Sequence, residues 1–454
     1  MSQPAYRLPA KSFKDDQDSL FNGLMLRWSA VTPVERLICG LIIATPVWWV
    51  IGWGYIMTLF ATGIIAYEFS FGDGLRLQRP SMLPISAAAF QLYRSASTIL
   101  NSNQFAMSSL TGIANGLSFV FILWYAENRN IKVRPAVLAW AISILVLYML
   151  AFWVGAQLIL GARRFSPPRS LMSQILDKGE RFVPGAGNSN YLIPYWADEK
   201  LPGGIARFSF FFAIYEDLAL VSGFICLLAL ELKKSVRSYA LFGAGVFLLF
   251  VSGTRSNWLV LPIILVLRFL IVAGKAGGPA LIFALISIVS FISLAMPPIT
   301  EQIVNTVNQT TEATGNFRRD STDVRNRIYQ RTFEAVVTEP DKLLLGRGVT
   351  GPTVLPGYEP ATIGSHSFIL GTLIYRSGLI GTALFLWFWV ALIQTLYRTR
   401  SNRPILCLLI PIYMSLTFLV MEISTANYML LLLTFFLSKR VEPKQPKLLN
   451  KSYV

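Results

Sequence analysis

The chain has 454 residues, of which 54% are hydrophobic and only 14% charged, and its mean hydropathy is +0.53. That balance excludes an ordinary water-soluble domain and points to a protein of the lipid bilayer. The formal charge of +16 does not call for nucleic acid, because Lys and Arg beside membrane spans on the cytoplasmic side meet anionic lipid headgroups.

The first segment, 1–35, opens as MSQPAYRLPAKSFKDDQDS, polar and mixed in charge, without the basic and then apolar order of a cleavable signal peptide. Apolar runs of roughly 16 to 22 residues follow, the length that crosses about 30 Å of hydrocarbon. In chain order they fall near 36–52, 54–71, 81–100, 106–126, 135–160, 208–230, 239–253, 256–272, 279–297, 378–397, 405–421 and 424–438. The pattern predicts an all-α polytopic membrane protein with about 12 transmembrane helices. Cys39, Cys226 and Cys407 lie inside apolar runs, where a thiol serves as a small buried hydrophobe.

With both ends cytoplasmic, the inner segments ENRNIKVRP, ELKKSVRS and YRTRSNRP and the tail 441–454 are short and basic, as the positive-inside rule requires. The chain then reads as one membrane domain over 36–440 between two cytoplasmic ends. Two long polar segments face outward, about 161–207 and 298–377, the polar part of the second ending at 366. Outer segments hold 13 Arg against 3 Lys. Arg is the cation chosen where a planar fork must grip phosphate or carboxylate, although these residues could equally pair with loop acids such as Asp320, Asp323, Glu334, Glu339 and Asp341.

Within the second outer loop, STDVRNRIYQRTFEAVVTEPDKLLLGRG has cap candidates at Ser321 to Asp323, apolar residues at Ile328, Tyr329, Thr332, Phe333, Val336 and Val337, and Pro340 as a stop. The spacing predicts an amphipathic helix. Arg325 and Arg327 near its start oppose the helix dipole unless an anion is present.

Four side chains able to bind or move charge fall at matching places in this topology. Arg207 stands where the first outer loop re-enters the membrane, Arg255 at the junction of two apolar segments, and Arg325 and His366 bracket the second loop. His366 is the only histidine. Arginines with one neutral imidazole suit transfer from a lipid pyrophosphate carrier: guanidinium groups stabilise the leaving diphosphate, and the imidazole takes the acceptor's proton. A histidine that merely caps or hydrogen-bonds a loop is the competing reading. Glu216 and Asp217 are the nearest acidic candidates, either at the acceptor or as structural partners of Arg207.

GRGVTG at 346–351 matches GxGxxG, but Pro352 follows at once and no βαβ unit surrounds it, so the glycines are read as turn formers. The sequence has no Walker A motif, no CxxC, no HExxH and no second His, so no cofactor and no His-based metal site is expected.

The ordered set Arg207 in ARFSFFF, Arg255 in SGTRSNWL, Arg325 in RNRIYQRTFEAVVTEPDKLLLGRG and His366 in GSHSFILGTLIYRSGLIG resembles the bacterial O-antigen ligase and polymerase family over residues 200–396. The family's usual Asn after the His is Ser367 here, and Thr254 replaces the Ser before the second Arg. AIYEDLA replaces the Asn and Pro common after the first Arg. The resemblance implies a metal-independent, inverting glycosyltransferase of the bacterial inner membrane. Such an enzyme takes a glycan from undecaprenyl diphosphate on the periplasmic side and passes it to a growing chain or to lipid A core. By carry-over, Arg207, Arg255 and Arg325 would hold the diphosphate and His366 would activate the acceptor. A transporter or flippase of an anionic lipid-linked substrate, which Arg94 and Arg268 would suit, and a protein O-oligosaccharyltransferase stay open beside it.

Overall fold

The computed structural model describes residues 20–439 apart from 24, 72–73, 76, 102–106, 160, 177–181, 183–189, 202–203, 296–318 and 356–359. Helices dominate, and every predicted apolar run lies on one or more of them. The two chain ends and much of both predicted outer loops lie outside the described residues.

Four helical segments are long and apolar enough to cross a membrane: Leu110–Asn128, Pro135–Ile159, Arg255–Gly274 and Phe368–Arg398. A fifth results if Pro33–Ile43 and Thr45–Ile51, bent by 59°, form one span. Val236–Ser252, Leu406–Thr417 and Thr425–Phe436 are apolar but shorter. Among the described residues the full-length spans are therefore fewer than the about 12 expected from hydropathy. Breaks in the helices have local causes. Pro46 cannot donate to the Ile42 carbonyl, and the Thr45 hydroxyl takes that acceptor at 2.6 Å, so the helix turns there. Leu147, Val266, Phe269 and Val390 point outward from their spans, as side chains that meet lipid do.

The run predicted as a span at 208–230 is helical only from Tyr215 to Ala229. Its first residues belong to an antiparallel hairpin, Tyr195–Lys200 with Ala206–Phe208, which pairs Trp196 with Arg207. Ser209 and Phe210 then both donate backbone N–H to the Pro194 carbonyl, at 3.0 and 2.9 Å. A short hairpin, Phe21–Asn22 with Met25–Leu26, stands near the start of the described chain. These strands are small additions to the expected all-α architecture.

The amphipathic helix is present as Arg319–Thr338, with Pro340 just beyond it. It starts two residues before the predicted caps, so Ser321 falls within its first turn. Its loop acids find local partners: Glu334 pairs with Arg331, and Glu339 with Lys342 and Arg347.

The Tyr215–Ala229 helix fixes two ends of the bundle, about 22 Å apart at 1.5 Å per residue. Beyond its last turn Glu231 pairs with Arg268 at 3.7 Å and accepts the Ile405 N–H at 3.3 Å. Fully buried Glu35 takes a two-pronged grip from Arg134, at 2.8 and 2.7 Å. At the other end a strap forms between the segments 342–348 and 375–380. Arg347 N–H donates to the Tyr375 carbonyl at 3.1 Å, Gly348 N–H to the Arg376 carbonyl at 2.8 Å, and Leu379 N–H to the Leu343 carbonyl at 2.9 Å. Gly346 and Gly348 have φ of +76° and +73°, which bears out the reading of GRGVTG as turn glycines.

A Cβ at Gly346 would meet the Arg376 carbonyl in a left-handed backbone. Gly346→Ala is expected to destabilise the protein by at least about 1–2 kcal/mol, measured as a lower thermal midpoint in detergent, whereas Gly63→Ala, in open space inside the Ile56–Ser70 helix, should leave the midpoint unchanged or raise it.

Candidate active site

Arg207 enters from the hairpin. Its guanidinium is buried, and each face of it is occupied: Nη1 donates to Glu199 Oε2 at 2.5 Å, Nε to the Ser252 carbonyl at 3.0 Å and Nη2 to the Gly253 carbonyl at 3.3 Å. The plane lies over the Tyr215 ring at 3.4 Å. Burial pulls its pKa down, but Tyr215, Glu199 and Glu216 outweigh that and hold it charged. Gly253, with φ of +65°, ends the Val236–Ser252 helix, and a Cβ there would meet Arg207 Nε at 2.6 Å. Close approach of the guanidinium therefore needs glycine. Thr254 then donates to the Tyr215 carbonyl at 3.4 Å, and half-buried Arg255 opens the next span. Arg207 thus sets the turn that presents Arg255.

Glu216 lies in the first turn of the Tyr215–Ala229 helix, where a carboxylate complements the helix dipole. Its Oε1 is 3.4 Å from Arg325 Nη2, so the loop helix is tied across the bundle end to the helix that carries Tyr215. Arg325 Nη1 also donates to the Val420 carbonyl at 3.4 Å. Asp217 points elsewhere: it accepts the Ser424 hydroxyl at 2.5 Å, and Ser424 caps the Thr425–Phe436 helix. That is the structural alternative for this carboxylate. Arg327, two residues along from Arg325, is exposed.

One stripe of the Arg319–Thr338 helix clasps the turn at His366. Tyr329 Oη donates to the His366 carbonyl at 3.0 Å, and buried Thr332 Oγ1 accepts the Gly364 N–H at 2.9 Å. Positions 325, 329 and 332 share a face because they are four and three residues apart. Phe368, fully buried, anchors the other side of the turn: its ring packs on Phe385 and Phe418, and its N–H donates to the Phe418 and Met421 carbonyls at 3.1 and 2.9 Å.

His366 itself has φ of +62°, an uncommon region for a side-chain-bearing residue. Its N–H donates to Glu422 Oε1 at 3.0 Å, while Glu422 Oε2 takes Arg376 Nη2 at 2.9 Å. His366 Nδ1 lies 2.7 Å from Ser365 Oγ. Burial lowers the imidazole pKa, Arg325 lowers it further, and Glu422 offsets part of this, so the ring is neutral at pH near 7. Burial alone would raise the Glu422 carboxyl, but Arg376, His366 and Arg94 together bring it below its ordinary value.

The structure therefore brings Arg207, Glu216, Arg325 and His366 to one end of the bundle, with Arg255 two residues from the carbonyl that Arg207 grips. Asp217 is adjacent but engaged elsewhere, and Arg327 stands outside the clasp. Glu199, Ser365, Arg376 and Glu422 belong to the cluster too and were not singled out from the sequence, and Tyr329, named there only for the apolar face of its helix, joins them. Glu422 carried a readable signal, a lone acid between two apolar runs in LVMEIST. Among the described residues no three His, Cys, Asp or Glu side chains come together as a metal site.

Residues 240–386 match the family described as O-Antigen ligase (Wzy_C), which bears out the resemblance to O-antigen ligases and polymerases. That segment contains Arg255, Arg325 and His366, while Arg207 and Glu422 flank it. No curated protein matches the sequence.

Arg207→Ala leaves Glu199 and two carbonyls without their buried donor, an expected cost of about 3–5 kcal/mol. Arg207→Lys should recover little, since an ammonium cannot serve three acceptors in one plane. Equal thermal midpoints for wild type and both variants would show that the guanidinium contributes nothing to the bundle end.

Proposed function

We propose that the protein is a membrane glycosyltransferase of the O-antigen ligase and polymerase type that moves a saccharide from a diphosphate-linked lipid, undecaprenyl diphosphate in bacteria, to a sugar hydroxyl. The observation that carries this reading is the shared clasp. Arg325 and Tyr329, which holds the turn of His366, share one helix face, so a guanidinium and a neutral imidazole stand together. Residues 240–386, which match the O-Antigen ligase family, support the same assignment.

In this mechanism Arg325 and Arg255 face the diphosphate, and Arg207, committed to Glu199, Ser252 and Gly253, fixes the turn beneath Arg255. The acceptor hydroxyl attacks the anomeric carbon from the face opposite the diphosphate, its proton passes to the His366 ring, and the carbon–oxygen bond to the phosphate breaks with inversion. Negative charge develops on the departing phosphate oxygen, where guanidinium groups stabilise the transition state more than the ground state. The step requires no metal. Glu216 keeps Arg325 in place and is within reach of an acceptor sugar, whereas Asp217 and Arg327 serve structure and surface.

In orientation, the clustered end faces the periplasm, and the short basic segments, which hold most of the chain's Lys, face the cytoplasm. The membrane domain covers 36–440, with both remaining ends in the cytoplasm and about 12 passages of the bilayer, some made by short or bent helices. A flippase is less well supported. Arg268 pairs with Glu231 at the opposite end of the bundle, and Arg94 stands by Glu422 within the same cluster as His366.

His366→Ala should lower glycosyl transfer by a factor of at least about 10² in proteoliposomes supplied with lipid-linked oligosaccharide and acceptor, while donor binding survives. A ladder of lengthening chains as product identifies a polymerase, and a single transfer to lipid A core or to protein identifies a ligase. Retention of full activity by the alanine variant rejects the base.

The pH profile gives an independent check. Because the His366 pKa is depressed, its neutral, proton-accepting form persists below the ordinary imidazole value of about 6.5. The rate should stay level as pH falls to that value and decline only below it. An acid limb above it would contradict the assignment.

A further inference from the structure

The hydrogen bonds behind His366 decide which ring nitrogen is free. Ser365 Oγ lies 2.7 Å from the Thr362 carbonyl oxygen. A carbonyl can only accept, so the single hydroxyl proton of Ser365 is committed there. The same Oγ lies 2.7 Å from His366 Nδ1, and with its proton already used it can meet that nitrogen only as an acceptor. Nδ1 must then carry the ring proton. The lone pair is left on Nε2.

We propose that Ser365 is a positioning residue for the transfer reaction: it relays the fixed polarity of the Thr362 carbonyl to His366 and presets the ring as an Nδ1–H, Nε2-basic tautomer. Burial and three further contacts make the setting rigid. Ser365 is itself buried, so water does not compete for its oxygen, and its N–H also donates to the Thr362 carbonyl at 3.2 Å. The backbone of His366 is held at both ends, its N–H by Glu422 and its carbonyl by Tyr329. When Nε2 takes the acceptor's proton the ring becomes a cation with two N–H groups. Its Nδ1–H bond to Ser365 then strengthens as a charge-assisted one, with Glu422 nearby to offset the new charge and Arg325 opposing it.

This inference rests on the proposed transfer for its purpose, but the tautomer can be read without any turnover. The protein has a single histidine, so ¹⁵N-histidine labelling of chain purified through a histidine-free tag gives one pair of ring nitrogen signals in lipid nanodiscs. At a pH of about 8, above the ordinary imidazole pKa, wild type and Ser365→Thr should show the protonated nitrogen as Nδ1. Ser365→Ala, which removes the acceptor, should move the proton largely to Nε2 and lower kcat about tenfold or more with little change in donor KM. The threonine hydroxyl should restore both. A wild-type ring protonated mainly on Nε2, or an alanine variant whose ring signals match wild type, overturns the relay. The wild-type spectrum alone is decisive even where the alanine variant does not fold. Failure of the transfer reading itself is reported separately, by the His366→Ala assay.

Discussion

A charge at the end of a membrane bundle must be paired, and here the pairing does the assembling. Arg325 belongs to a loop helix on which Arg331 takes Glu334, while Lys342 and Arg347 take Glu339 just beyond it. It reaches instead to Glu216 at the head of the Tyr215–Ala229 helix. That single bridge links the loop that clasps His366 to the turn that Arg207 organises. Both partners are largely screened from solvent, so the interaction is less weakened than an open surface pair, and loss of either partner leaves the other uncompensated.

Around that bridge the side chains alternate in sign: Glu199 with Arg207, Glu216 with Arg325, Glu422 with Arg376. Alternation keeps several guanidinium groups close without mutual repulsion dominating. It also leaves the imidazole in a setting where burial and Arg325 oppose protonation. A neutral base among cations is the state that general-base catalysis beside an anionic leaving group requires.

Much of this was legible in the sequence because hydropathy reports helices directly. Every apolar run contains a helix, the Arg319–Thr338 helix lies where its 3.6-residue pattern placed it, and the left-handed glycines of GRGVTG behave as turn formers. Hydropathy does not report where a helix begins, and FSFFFAI before Tyr215 reads as membrane span although its apolar side chains pack a hairpin turn. The hairpin had its own signal in the Pro-Gly-Gly of YWADEKLPGGIARF, masked by the length of the hydrophobic run that follows. Arg207, Arg255, Arg325 and His366 could be chosen by residue type and order. Their partners could not, since Glu199, Ser365, Arg376 and Glu422 gain meaning only from contacts that a linear reading does not show, Glu422 reaching His366 from 56 positions away and Arg376 from 46.

The grip of Glu422 on the His366 backbone has a consequence for biosynthesis. Residue 422 follows residue 366 by 56 positions, and the helix from Thr425 to Phe436 whose cap takes Asp217 comes later still. A ribosome releasing this chain into the bilayer therefore delivers the arginines first and the brace of the imidazole turn near the end. The imidazole turn gains its brace only once the last helices are threaded, so an unfinished chain carries its single histidine on a turn still lacking the Glu422 contact.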